Sequence, residues 1–231
     1  MLTIWLTITR ILIIGLTFGL AWATWRSHQL LKEYQPDINL LLSIPELLAR
    51  LGLVGVWFLL AWFSGMSAAR LGLHLENFLA YLGWGLVIGV VTISLINLMT
   101  GWAIKRFGRG IYSPLVIINI LPQRPLEWVL SLPAMLVAVT MEELLFRSLW
   151  LGVFAPVVAP MLLVLITSII FGAIHSPQGS LGMIVAGGMN ILLSLLFLWS
   201  SSLILPLTVH FTINLLQLVV GHYQRDWLES Y

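Results

Sequence analysis

The chain has 231 residues, of which 60% are hydrophobic and only 9% charged, with a formal net charge of +2 and no cysteine. A soluble domain carries roughly 25% charged residues, so this composition excludes one. The missing thiols exclude disulfides, thiolate metal sites and cysteine nucleophiles. The small basic excess fits membrane topology and lipid contact and implies no nucleic-acid partner.

Apolar runs of about 18 residues or more mark membrane spans, and they recur along the whole length with no soluble block between them. One transmembrane domain over residues 1–231 is expected. Seven spans are predicted, at about 3–24, 50–68, 79–101, 132–154, 157–175, 182–199 and 203–221. The fold expected is an all-α polytopic integral membrane bundle of seven to eight transmembrane helices. In the first run Ala21-Trp22-Ala23 resembles a signal cleavage site, yet no basic residue precedes the apolar stretch and the run is long, so it reads as a helix. Arg10 lies about 13 Å into that helix and must snorkel or find a partner.

A polar segment follows from Arg26 to Glu46, punctuated by Pro36 and Pro45, and a second, the most basic, runs from Lys105 to Glu127. Both read as interfacial. These two loops and the tail after Val220 carry Arg26, Lys32, Arg50, Lys105, Arg106, Arg109, Arg124 and Arg225, against Arg70 and Arg147 on the other side. That bias predicts an outside N-terminus and a cytoplasmic C-terminus, in what reads as a prokaryotic cytoplasmic membrane. Trp25, Trp102, Trp128, Trp150 and Trp199 near span ends fit aromatic belts. Gly182, Ala186, Gly187 and Gly188 form a small-residue face for close helix approach. His28, His74 and His222 lie near interfaces and read as solvated.

The intramembrane polar residues carry the chemistry. A charge at the bilayer centre costs at least about 2.5 kcal/mol, yet Glu142 and Glu143 stand side by side in the fourth span. Adjacent helical residues diverge by about 100°, so the two need not share a role. Glu143 and Arg147 are at i and i+4, the spacing for an ion pair on one face. Glu142 is left over and must look to another helix. His175 ends the fifth span, four residues after Phe171; His210 and Asn214 lie one turn apart in the last. Counted from the predicted helix ends, Glu142 and His175 differ in depth by roughly 10 Å, a gap that tilt or a shifted helix start must close.

A carboxylate and a histidine facing one water can make it a nucleophile, and a second histidine with an amide can donate to a developing oxyanion. That is hydrolysis without a covalent intermediate. Ser148, Ser168 and Ser176 lie nearby, but their spacing gives no sign that a base serves them. A catalytic metal is the minority reading: Glu and His are good ligands, but HExxH is absent. The bland readings are an ion cluster for Glu142, Glu143 and Arg147, a helix-end contact for His175, and an interhelical clasp for His210 with Asn214. Paired carboxylates also mark ion pathways, although no internal repeat supports a transporter.

The ordered set EExxxR (Glu142, Glu143, Arg147), FxxxH (Phe171, His175) and HxxxN (His210, Asn214), spread over about residues 130–221, resembles the CPBP family: CAAX prenyl endopeptidases, bacteriocin-processing enzymes and Abi-like relatives. The resemblance implies an intramembrane glutamic endopeptidase that needs no cofactor. By resemblance, Glu142 is the general base that activates water with His175, while His210 and Asn214 stabilise the oxyanion. Glu143 and Arg147 brace the site, and Phe171 positions His175. The implied partners are a membrane-embedded or lipidated protein or peptide substrate, the lipid bilayer and a membrane-protein complex partner. The alternative is a non-catalytic accessory, scaffold or immunity protein of the same family.

Overall fold

In the computed structural model, which describes residues 2–34 and 38–231, six helices are long and apolar enough to cross a membrane. Among the described residues the regular structure is helical throughout, as expected. Helix α1 (Leu2–Glu33) runs past its apolar portion into the polar segment. Helix α2 spans Ile44–Phe63, α3 Phe78–Phe107, α4 Leu115–Ile120 and α5 Pro125–Glu143. A π-helical stretch, Leu144–Leu151, carries α5 into the short α6 (Gly152–Phe154). Then come α7 (Pro160–Ile174), α8 (Gly179–Ser200), α9 (Ile204–Tyr223) and α10 (Arg225–Glu229). The expected fifth span corresponds to α7, whose 15 residues cover only about 22 Å, short of a hydrocarbon core of about 30 Å.

Two predicted boundaries move for reasons of proline chemistry. Helix α2 begins six residues before the expected position, because Pro45 sits in its first turn, where a missing N–H costs nothing. Helix α5 begins at Pro125 rather than near Leu132, with Arg124 extended at φ −122° and ψ 152°. Pro133 lies inside α5 on an exposed face, and the helix continues through it. Pro36 lies outside the described residues.

Most outward side chains are apolar: Ile4, Trp22, Trp62, Leu79, Leu98, Ile184 and Trp199 are all well exposed, as a lipid-facing surface requires. The interior is organised around the α5–α6 rod, in which every residue from Glu143 to Phe154 is buried. A helix covered on all sides needs no amphipathic pattern. Trp150 belongs to this core and not to an aromatic belt: it is 6% exposed, stacks on Phe154, and its indole N–H donates to Thr17 Oγ1 at 3.0 Å. Arg10 finds a partner and does not snorkel, donating to the Val153 carbonyl at 3.1 Å beside the Phe154 ring.

Close helix approach occurs at two places, one of them on the small-residue face expected of α8. A Cβ on Gly85 would fall 2.6 Å from Thr208 Cβ, and one on Gly89 would fall 2.6 Å from Thr212 Cβ, so α3 and α9 meet in near backbone contact there. On α8, Gly187 lies against Ser168 of α7, and a Cβ on Gly172 of α7 would fall 2.7 Å from the Met183 carbonyl oxygen, while Gly188 faces open space. Asn190 clasps the same two helices by donating to Thr167 Oγ1 and Ser168 Oγ, each at 3.1 Å.

Candidate active site

The end of the α5–α6 rod at Phe154 and the start of α7 at Pro160, joined by a short turn, give a common reference for the depth of the acidic pair and of His175. Counted back from Phe154, Glu142 is about 18 Å along its rod; His175 is about 22 Å from Pro160. On this count the two differ in depth by about 4 Å, less than the roughly 10 Å expected from the predicted helix ends. The wide π turn begins directly after Glu143, a local irregularity that often marks functional positions.

The two glutamates diverge as the helical angle requires. Glu143 points into the rod's packed side and is 0% exposed, whereas the Glu142 side chain keeps 26% of its surface open. Glu143 Oε2 lies 3.2 Å from Arg147 Nε, also 0% exposed. The contact is an ion pair and not an aligned hydrogen bond, since none of the guanidinium N–H groups has an acceptor among the described residues. The other oxygen, Oε1, lies 2.7 Å from His210 Nδ1. Glu143 therefore links α5 to α9.

His210 in turn presents Nε2 to Glu142 Oε2 at 3.7 Å. A carboxylate only accepts at Glu143 Oε1, so Nδ1 carries the proton in that 2.7 Å contact and Nε2 is the nitrogen left to face the cavity. His175 is fixed by the same logic. Its Nδ1 sits 2.8 Å from the Phe171 carbonyl, which can only accept, so Nδ1–H donates and Nε2 is the nitrogen left to face the cavity. The Phe171 ring joins these groups: 4.4 Å from the His175 ring, 6.2 Å from that of His210 and 6.0 Å from the Arg147 guanidinium. It is packing that holds three polar groups in register.

A cavity of about 330 Å³ is lined by Glu142, His175, His210 and Asn214 together, so all four motif residues expected at the reacting centre face one space. Below Gly89 the facing surfaces of α3 and α9 line this cavity with Ile93, Asn97, Asn214 and Gln217. A second cavity of about 410 Å³ shares Asn97, Thr100, Tyr112 and Gln217 with the first and reaches Lys105 and Gln224. Gln217 and Asn97 carry no motif, yet Asn214 and Gln217 are one turn apart on α9, a polar spacing legible in sequence. At the rim, Tyr112 stacks on Trp227, with ring centroids 6.2 Å apart. Burial, with Tyr231 close by, pushes its phenol up to about 12.

Two of the three nearby serines, Ser148 and Ser168, are occupied by structural bonds. Ser148 Oγ donates to the Leu71 carbonyl at 2.7 Å, and Ser168 Oγ donates to that of Val164 at 2.7 Å. The described residues hold no cluster of three or more His, Cys, Asp or Glu placed to grip a metal ion.

A family model described as type II CAAX prenyl endopeptidase Rce1-like matches residues 124–216. The match opens where α5 begins and takes in every motif residue from Glu142 to Asn214, in agreement with the resemblance those motifs carry. No curated protein and no solved structure matches the chain.

Proposed function

We propose that this relative of the CAAX prenyl endopeptidases cuts a peptide bond of a membrane-associated protein or peptide with a water activated by Glu142 and His175, without a metal. The reading is carried by one observation: Glu142, His175, His210 and Asn214, from three helices, line a single cavity, and the roles of the two imidazoles are separated by what holds each Nδ1.

Glu142, the less buried carboxylate, takes a proton from the water, while His175 Nε2 accepts a hydrogen bond from the water's other O–H and orients it. The resulting hydroxide adds to the scissile carbonyl. His210, in its imidazolium form, donates from Nε2 to the oxyanion while Glu143 holds Nδ1–H, and the Asn214 amide supplies a second donor. Glu142 then returns its proton to the leaving nitrogen, the C–N bond breaks, and a carboxylic acid and an amine result, the acid passing its proton to the amine or to solvent. Arg147 is the counter-charge to Glu143 within the packed rod, and Phe171 holds His175.

Purified full-length protein in phosphatidylcholine nanodiscs, given a library of quenched-fluorescence peptides, tests this reading. Cleavage that persists in EDTA and 1,10-phenanthroline and is lost in Glu142→Gln supports it. Cleavage abolished by chelator and restored by a divalent ion contradicts it. The expected placement has the C-terminus and the second cavity on the cytoplasmic side, and accessibility of a reporter fused at Tyr231 checks that orientation.

A further inference from the structure

The catalytic assignment makes no use of Arg50. It stands on α2, opposite α5, and it is the one permanently cationic side chain among the described residues that line the cavity shared with Glu142. Its Nη2 meets Glu46 Oε2 at 3.5 Å on the open side of the helix, where Glu46 is half exposed. Its Nη1 is buried and has no hydrogen-bond acceptor among the described residues. The cavity lining includes the apolar Leu41, Ile117, Met135 and Leu218. A buried guanidinium N–H is costly until an acceptor reaches it, and a carboxylate suits the guanidinium fork better than any neutral group. The Glu46 contact engages Nη2 and leaves Nη1 without an acceptor among the described residues.

We propose that Arg50 is a specificity-determining residue that binds a carboxylate of the peptide substrate, a few residues from the bond that is cut. This rests on the endopeptidase reading, but the geometry that carries it is independent of Glu142. Met135, Ala138 and Glu142 all face the cavity from successive turns of α5, so one extended peptide can touch Arg50 and the reacting centre together. A hydrogen bond to a charged group separates bound from unbound by about ten- to a hundredfold.

The test uses matched quenched-fluorescence peptides in which a single carboxylate, either the free C-terminus or a Glu, is replaced by its amide at each position in turn. Full-length protein in phosphatidylcholine nanodiscs is expected to favour the acid form at one position by about tenfold or more in kcat/KM. Arg50→Gln is expected to bring that ratio to about one, and Arg50→Lys to keep part of it, as a cation without the planar fork. Equal turnover of acid and amide at every position by the unaltered protein overturns the proposal, whether or not Arg50→Gln folds. Retention of the full preference in Arg50→Gln does so too. Binding of the same peptides to Glu142→Gln protein, read by fluorescence anisotropy, separates the two readings. An Arg50-dependent acid preference in binding without any cleavage by unaltered protein leaves the anion site standing and removes the endopeptidase. Failure of the acid peptides to bind at all overturns the anion site. If phosphatidylglycerol in the nanodisc abolishes the preference, Arg50 holds a lipid phosphate and the peptide assignment falls.

Discussion

Glu143 Oε1 lies 2.7 Å from His210 Nδ1, and through this contact the buried acid of α5 sets the orientation of an imidazole on α9. In the proposed mechanism this relationship makes Glu143 a positioning residue. Glu143→Gln keeps the shape but replaces a carboxylate acceptor of the His210 Nδ1–H with a neutral amide. Turnover is expected to fall by at least about 100-fold. Unchanged His210 ¹⁵N shifts in the variant would show that the contact does not govern the ring.

Arg147 is the counter-charge to that same carboxylate, at 3.2 Å in a fully buried setting. Arg147→Met fills the volume but strands Glu143, and breaking one side of a buried pair costs about 3–5 kcal/mol. Reversible unfolding in mixed detergent micelles measures the loss. The double variant Glu143→Gln with Arg147→Met is expected to recover part of that stability while remaining inactive.

Gly89 tests the scaffold rather than the chemistry. A methyl group there falls 2.6 Å from Thr212 Cβ, and Thr212 lies between His210 and Asn214 on α9. Gly89→Ala is expected to destabilise the fold by about 1–3 kcal/mol through overpacking and to lower kcat by displacing that turn. Gly188→Ala, which meets nothing within 4 Å, is the matched control and is expected to leave both unchanged.

Tyr112 provides a pH test away from the reacting centre. Its phenol is raised to about 12 in the folded protein, above the ordinary value of 10.0. The folded state therefore holds its proton more tightly than the unfolded state does. The associated stability is complete below pH 10 and is lost progressively as pH rises toward 12. Phenolate absorbance in the native protein and in Tyr112→Phe is expected to differ only near the upper end of that range; a difference that develops by pH 10 would contradict the burial.

The helical class and the spans were legible because apolar run length is a direct response to bilayer thickness. Motif residues on α5, α7 and α9 were legible because charge and imidazole are costly in lipid and stand out against an apolar background. What the sequence could not carry was partner choice across helices. Spacing paired Glu143 with Arg147 within one helix, but the bond from Glu143 to His210 joins residues 67 apart and depends on how α5 and α9 pack. Trp150 illustrates the same limit: its place near a span end resembles a belt residue, yet α1 covers it and Thr17 accepts its N–H. Gly85 and Gly89 stand at the GxxxG spacing of close helix contact, but which helix they meet became visible only once Thr208 and Thr212 were set against them. The α5 boundary was displaced because its first turn, residues 125–128, includes Glu127 and follows the basic loop, so apolar run length alone starts the helix late.

The central claim is that Glu142 is the base. Its side chain is partly open, and its nearest ionisable contact is His210 Nε2 at 3.7 Å, so Glu142→Gln removes basicity with little structural consequence. The decisive measurement is kcat/KM for one cleaved peptide in unaltered and Glu142→Gln protein, with unfolding midpoints recorded on the same preparations. The account predicts a fall of about 10²- to 10⁴-fold at an unchanged midpoint. Full turnover in the folded Gln variant would contradict it.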